Sequence, residues 1–264
     1  LPNGITLLLS KMPPKPMEQN TKGITKAVVI GGGLIGVEMA EMLHSRGIHV
    51  TMIIREKKFW NIVLPPEESQ LVTNHIKSRG IDLILDETVE RINGSERVES
   101  ITLSNGQMVK TDFVGITIGV RPNVDFLNDS EIEIDRGILI NEYLVTNIKN
   151  IFAIGDCAQL HKAEPTRKSI EPVWYTGRKM GETVAQNILT PTKNYDQGIW
   201  FNSAKFFDLE YQTYGYVPND NSQAKSFYWQ DEKKDRALRL VANMAGNIVG
   251  VNCIGLRIRH EVCE

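Results

Sequence analysis

The sequence has little of several things, and each shortage excludes something. Only three cysteines, Cys157, Cys253 and Cys263, stand among 264 residues. They form neither a disulfide framework nor a close C-x-x-C pair, so a reducing cytoplasm is the expected compartment. No apolar run approaches the roughly 20 residues that span a bilayer, so no membrane partner is expected. Leu7–Leu9 is too short for a signal-peptide core, and prolines follow it. Charge of one sign is missing as well: 30 Lys and Arg against 32 Asp and Glu leave a net charge of −2. That balance excludes a general attraction to nucleic acid, even though lysines interleave with aromatics near the C-terminus. The five histidines are scattered. No cluster has metal-ligand spacing and no Ser–His–Asp arrangement is visible, so no metal site is expected and no catalytic acid or base is assigned.

What the sequence does have is glycine in a particular place. Val28-Val29-Ile30-Gly31-Gly32-Gly33-Leu34-Ile35-Gly36-Val37-Glu38 reads as a buried strand, a turn and a helix start. Its glycines fall as Gly31-x-Gly33-x-x-Gly36. In a dinucleotide site the first permits the tight turn, the second lets a pyrophosphate approach the backbone, and the third lets helix and strand pack closely. The helix N-terminus offers unpaired N–H groups to phosphate. Glycine turns are common, and context strengthens this one. Met39, Ala40 and Leu43 follow at helical spacing, Gly47 is a helix stop, and Ile48–Ile54 is a second apolar strand.

Residues 1–26 read as irregular, with Pro13, Pro14 and Pro16 breaking any helix. After the second strand comes a basic and aromatic patch, Arg55, Lys57, Lys58, Phe59 and Trp60. It is either a solvated exit from the strand or the edge that meets the adenosine ribose. An acid there selects NAD and an arginine favours NADP. Ile54 stands where the acid is expected, Arg55 follows and Glu56 comes next, so the usual discriminator is ambiguous. NAD is expected, with NADP as the alternative.

A helix begins at Pro65-Pro66-Glu67-Glu68, with a stripe of Leu71, Val72, His75 and Ile76 and a stop at Gly80. His75 reads as a surface or half-buried helix residue. Ile81–Leu85 is a short strand. Asn93-Gly94 and Asn105-Gly106 mark hairpins in a small antiparallel meander, which ends in the buried strand Phe113–Gly119. Further on, Ile138–Ile140 reads as a strand. Ile151–Ile154 reads as a buried strand ending in Gly155-Asp156, where Asp156 is a ligand contact or a helix N-cap.

Taken in order, Gly31-x-Gly33-x-x-Gly36-x-Glu38, Thr117-Ile118-Gly119-Val120-Arg121-Pro122-Asn123 and Ile151-Phe152-Ala153-Ile154-Gly155-Asp156-Cys157-Ala158 resemble the FAD-dependent pyridine nucleotide-disulfide oxidoreductases. Within that family the chain is most similar to NADH-dependent reductases such as rubredoxin reductases, nitrite-reductase-like flavoproteins and coenzyme A disulfide reductases. The resemblance implies cofactors FAD and NAD. It implies that Gly31, Gly32, Gly33, Leu34, Ile35 and Gly36 hold the nicotinamide dinucleotide, with Arg55 and Glu56 at its ribose. Glu38 and Gly119 then lie near the nicotinamide. Gly155 and Asp156 meet FAD, and Ala158 begins a helix aimed at the flavin. Cys157 is a small packing residue in this reading.

The implied fold is α/β: a doubly wound Rossmann-type NAD(P)-binding domain with a meander crossover, then the distal half of an FAD-binding domain, then a small α+β interface domain. The expected boundaries are 1–24 for a lead-in, 25–119, 120–198 and 199–264. Pro172–Arg178 precedes a helix through Val184, Ala185 and Ile188. Leu238–Val241 and Ile248–Ile254 are strands of the interface domain, which implies a homodimer. Only one strand–glycine–helix motif is present, so the chain reads as a C-terminal piece that binds FAD weakly or not at all by itself and is inactive alone. Its end at Glu264, without a closing element, also reads as truncated. The implied activity is hydride transfer from NAD(P)H to FAD and on to an unidentified acceptor, a disulfide or a small redox protein. A nucleotide-binding module without turnover is the alternative.

Overall fold

The computed structural model describes residues 5–7, 18–190, 192–220, 225–231 and 233–263. Two compact units form. The first takes in Leu1–Val120, Ser203–Gln212 and Val217–Arg259, and the second Arg121–Asn202, Thr213–Tyr216 and His260–Glu264.

The first unit is built on a five-stranded parallel sheet. Its strands are β1 (Ile5–Leu7), β2 (Lys26–Ile30), β3 (His49–Ile54), β4 (Asp82–Leu85) and β8 (Phe113–Ile116), in the order β1-β8-β2-β3-β4. Successive side chains of a strand point to opposite faces, and both faces are covered. Ala27, Val29, Val50, Met52 and Phe113 join a core with helices α1 (Leu34–Ser45) and α2 (Pro66–Ser78). Val28, Ile53 and Val114 pack instead with Val98, Ile101 and Leu103 of the meander. That meander is a three-stranded antiparallel sheet of β5 (Val89–Asn93), β6 (Ser100–Leu103) and β7 (Met108–Lys110). It is the expected crossover. The continuous apolar runs of β2 and β3 follow from this two-sided burial.

One expectation fails at the start of the chain. Ile5–Leu7, read as irregular, forms β1 and pairs in parallel with β8 at Ile5–Val114, Thr6–Gly115 and Leu7–Ile116. Three residues carry too little pattern to reveal a strand whose partner lies more than 100 positions away. Pro13, Pro14 and Pro16 lie outside the described residues.

An antiparallel sheet of β11 (Phe201–Phe206), β12 (Leu209–Gly215), β13 (Lys225–Asp231), β14 (Arg236–Ala242) and β15 (Ile248–Ile254) runs in the order β11-β12-β15-β14-β13. Phe206, Leu209, Tyr211, Ala237 and Ile254 share the core of α1 and α2. Two polar clusters fasten this sheet to α2. In one, Arg239 is 2% exposed. Its Nε donates to Glu68 Oε1 at 2.6 Å and its Nη2 donates to Glu68 and Glu67 at 2.8 and 2.7 Å. Its guanidinium also lies 4.8 Å from the ring centre of Tyr228. Burial beside Glu68 raises the Tyr228 phenol to about 12. In the other cluster, His75 is 3% exposed rather than at the surface or half-buried. Its Nδ1 lies 2.6 Å from Asp235 and its Nε2 3.0 Å from Asp208. Helical spacing placed His75 on the apolar stripe, but both acids that face it come from a distant sheet.

The second unit holds β9 (Ile138–Ile140) and β10 (Ala158–Leu160), paired in parallel, and helix α3 (Trp174–Asn187). Ile140, Leu144, Ala158, Leu160, Met180 and Tyr195 form its core. Three expectations are corrected here. Ile151–Ile154 is not a buried strand: it forms only a bridge between Phe152 and Val145, with Ile151 39% and Ile154 38% exposed. Ala158 does not begin a helix, because Ala158–Leu160 is extended and bonded to β9. The helix forms only after Pro172 and starts at Trp174, so Trp174–Arg178 are its first residues rather than a segment preceding it.

Glu68 is 1% exposed, so removing Arg239 strands a buried carboxylate. Arg239→Met is expected to lower unfolding stability by about 3–5 kcal/mol. Adding Glu68→Met should recover most of the loss. Urea unfolding of both variants checks this, and a single variant as stable as the parent would contradict the structural weight given to the pair.

Candidate nucleotide-binding site

At the end of β2 the chain turns through Gly31–Gly33 into α1. Gly31 N–H donates to Ile53 O at 2.9 Å, and Thr117 N–H donates to Ile30 O at 2.8 Å. The Thr117 hydroxyl donates to the same Ile30 carbonyl at 3.0 Å. The three motif glycines differ in what they avoid. Gly31 has φ +117°, and a Cβ there would collide with the Thr117 carbonyl. At Gly36 a Cβ would collide with the Gly31 carbonyl and the Thr117 hydroxyl. Gly33 lies at φ −80° and ψ 175°, an extended geometry open to any residue. A Cβ on Gly33 would meet nothing within 4 Å. The fold therefore requires glycine at 31 and 36, whereas at 33 it makes no such demand and leaves the space open.

That space fronts the N-terminus of α1, which has no side-chain cap and no acid in its first turn. Such an end is suited to an anion. It opens on a cleft of about 750 Å³. Gly31–Ile35 form one wall, Thr117–Val120 beyond β8 another, and Thr88–Ile92 of the meander a third. Arg55, Glu56 and Trp60 close the end beyond β3. Arg55 Nε donates to Glu56 Oε1 at 2.8 Å, and the Arg55 guanidinium is held above its ordinary range by that bond and by the Glu56 charge. Trp60 has φ +59°, a backbone state that costs a bulky residue of order 1–3 kcal/mol. Its indole is fixed edge-on, 5.2 Å from Phe206 and 5.7 Å from Tyr211.

Of the residues expected at a nucleotide, the cleft brings together Gly31, Gly32, Gly33, Leu34, Ile35, Arg55, Glu56 and Gly119. Gly36 is buried behind the turn, and Glu38 is exposed on α1, outside the cleft lining. Thr117 has no expected role in the sequence motif, yet it is the residue the turn packs on. The contribution of Thr88–Ile92 has no local signal, because a meander pattern does not say where its first strand approaches the sheet.

Gly155, Asp156 and Ala158 lie in the second unit. Gly155 has φ +78°, with open space where a Cβ would point. Asp156 is exposed, and its carboxylate accepts no hydrogen bond among the described residues. Helix α3 begins without a side-chain cap, and a Cβ on its Gly177 would touch Gly155 Cα at 3.6 Å. The helix that approaches this turn is thus α3. An open carboxylate, a glycine turn and an uncapped helix start stand together there, a donor and acceptor set that fits a cofactor carrying hydroxyls and phosphate. Ala158 is buried in β10, 1% exposed.

Comparison with known proteins gives the family and the fold. The family model described as pyridine nucleotide-disulphide oxidoreductase matches residues 7–181. The chain belongs to this family. It is 31% identical over 203 residues to a coenzyme A disulfide reductase of Staphylococcus aureus (strain N315), covering 76% of this chain and 45% of the relative. It is 34% identical over 139 residues to a nitrite reductase [NAD(P)H] of Bacillus subtilis (strain 168), covering 53% of this chain and 17% of the relative. The chain thus spans less than half the length of these curated relatives. Among solved structures, a NAD-dependent persulfide reductase from A. fulgidus superposes with a TM-score of 0.86 at 23% identity, over 99% of this chain and 51% of that one. Reduced Bacillus anthracis CoADR-RHD gives 0.82 at 23% identity, over 96% and 48%. These two establish the α/β fold with its parallel and antiparallel sheets.

The different demands on the glycines are separable by experiment. Gly36→Ala should destabilise the protein, because its Cβ meets backbone. Gly33→Ala should change stability by no more than about 1 kcal/mol while weakening NADH binding by roughly tenfold or more, since it fills the space facing the helix start. Thermal melts and an NADH fluorescence titration read the two effects. Unchanged affinity in a folded Gly33→Ala protein would detach that space from nucleotide binding.

Proposed function

We propose that this chain carries the nicotinamide-nucleotide site, and part of the flavin site, of an NAD(P)H-dependent flavoprotein oxidoreductase. The observation that carries the proposal is the empty space at Gly33 before the uncapped start of α1. In this reading the backbone N–H groups at the start of α1 bind the diphosphate, and Thr117 holds the turn in shape. Ile118 and Val120, 76% and 60% exposed, provide apolar surface that shields the nicotinamide end from water. Glu38 serves near that end. Gly155, Asp156 and the N-terminus of α3 hold the flavin cofactor. When bound, nicotinamide and flavin supply hydride transfer, and the protein positions and insulates them.

The acceptor in this proposal is a disulfide, supported by the name of the coenzyme A disulfide reductase relatives, with a small redox protein as the alternative. The functional division at 25–119, 120–198 and 199–264 is part of the same reading. So is a homodimer, supported by Phe227 and Trp229, exposed on β13. A cytoplasmic location is part of the same reading. Among the described residues no helix is long and apolar enough to cross a membrane.

NAD is the proposed nucleotide. Arg55 and Arg91 line the cleft with Glu56, Glu87 and Glu90, so acids outnumber bases there. Arg55 is committed to Glu56, and a 2′-phosphate would add negative charge to an acidic rim. NADH is therefore expected to bind roughly tenfold or more tightly than NADPH, a difference of about 1.4 kcal/mol. Glu56→Gln should narrow that ratio. Fluorescence titrations with both nucleotides test it, and equal affinities would overturn the NAD assignment. A visible spectrum taken before and after anaerobic NADH separates the two functional readings. Flavin bands that bleach support the oxidoreductase, and nucleotide binding to a flavin-containing protein without bleaching supports a binding module.

A further inference from the structure

A sheet edge exposes unpaired N–H and C=O groups, and proteins protect it by keeping the edge strand short, charged or bulged. Among the described strands most edges follow that rule. β1, β7, β9 and β10 have three residues each, and β4 has four and opens on Asp82. β5 carries Glu90 and Arg91 and is bulged between Val89 and Arg91. β11 carries Lys205. β13 departs from the rule. It is an edge of the antiparallel sheet, seven residues long, and it pairs with β14 without a bulge from Lys225–Ala242 to Asp231–Arg236. Its interior, Ser226-Phe227-Tyr228-Trp229-Gln230, holds no charge and no proline.

The two faces of β13 differ. Ser226 and Tyr228 turn toward the buried Arg239, whose Nη1 donates to the Ser226 hydroxyl at 2.9 Å and whose guanidinium lies by the Tyr228 ring. Tyr228 in turn donates to Gln230 Oε1 at 2.7 Å. Successive residues alternate between faces, so Lys225, Phe227, Trp229 and Asp231 share the other one. Phe227 and Trp229 are exposed there, beside the half-buried Leu240 and Leu238 of β14. An apolar stripe thus runs out to the open edge.

We propose that β13 pairs antiparallel with β13 of a second copy of this chain, about a two-fold axis at Tyr228, joining two five-stranded sheets into one. The inference rests on the homodimer proposed above and adds where, and in what register, the copies meet. The strand is complementary to its own reverse. The axis sets Lys225 of one copy opposite Asp231 of the other, Phe227 opposite Trp229, Ser226 opposite Gln230, and Tyr228 opposite itself. An axis normal to the sheet keeps like faces together, so the opposed residues lie on one face and touch. Every contact occurs twice: two ion pairs close the ends, and two aromatic pairs fill the stripe between them. Sliding the register by two residues sets Lys225 opposite Trp229, or Asp231 opposite Phe227, and leaves strand ends without partners. A foreign extended peptide would satisfy the same edge, but the opposite charges at the two ends favour the strand's own reverse.

Sedimentation equilibrium of the full chain should show a concentration-dependent dimer. Lys225→Glu sets like charges face to face at both ends and should raise the dimer Kd by roughly tenfold or more, and Asp231→Lys should do the same. Combining the two substitutions exchanges the charges and should restore association. Asp231 also accepts the Lys233 N–H at 2.9 Å, and recovery in the double variant separates the lost ion pair from that lost turn bond. Amide exchange gives a second readout without any substitution: protection of Lys225–Asp231 should rise with protein concentration. A chain that stays monomeric overturns both this pairing and the homodimer. A dimer that all three variants leave unchanged, or whose β13 amides exchange as fast as in the monomer, overturns the pairing alone.

Discussion

The first unit depends on one close approach, that of the Gly31–Gly36 turn to Thr117. Three strand ends meet there. Thr117 donates both its N–H and its hydroxyl to the Ile30 carbonyl, and the Gly31 N–H reaches across to the Ile53 carbonyl of β3. With these bonds in place there is no volume for a Cβ at 31 or 36, and α1 settles directly over the carboxyl ends of β2 and β8. The uncapped N–H groups of α1 then face the cleft because the strands hold the turn from behind. In an open α/β sheet that is where ligands bind. The site is a consequence of how the strand ends are tied, and Thr117 is the tie.

A different kind of constraint joins α2 to the antiparallel sheet. The shared core there is apolar, and apolar packing alone does not fix orientation. Arg239 with Glu68, and His75 between Asp208 and Asp235, add directional contacts at two places along α2. A buried ion pair contributes little net stability against a hydrophobic replacement, since both charges must leave water. Its effect here is to make other arrangements of the same apolar surfaces costly, because any sliding of the sheet would strand Glu68 or Arg239 in the core. Trp60 benefits directly. Its strained backbone is held by rings of β11 and β12, and those rings stay in place only while the sheet does.

The glycine turn, the apolar strands β2, β3 and β8, helix α2 with its Pro66 start and the meander were all legible in the sequence, because each rests on a local period or on a turn residue. The failures share a cause. Ile5–Leu7 is a strand only because β8 offers it a free edge. Ala158–Leu160 is extended only because Ile138–Ile140 lies alongside. His75 is buried only because two aspartates more than 130 positions away come to meet it. Ile151–Ile154 differs in the other direction: among the described residues its strand-type pairing stops at the single Phe152–Val145 bridge, so the apolar run does not become a strand. Of the cleft itself, the glycines and the Arg55–Glu56 edge were readable, whereas the wall from Thr88 to Ile92 depends on tertiary adjacency that spacing does not encode.

The behaviour of Gly33 separates folding from function within a single motif. Gly31 and Gly36 would be required in any protein that packs a helix this tightly on a strand, ligand or not, so their presence alone says little about binding. Gly33 has an ordinary backbone geometry and open surroundings, so nothing in the protein's own packing explains why a side chain is missing there. A glycine in such a place gains no stability and loses more conformational entropy on folding than alanine would. What remains to account for it is a partner that must come within contact distance of the backbone at the positive end of α1.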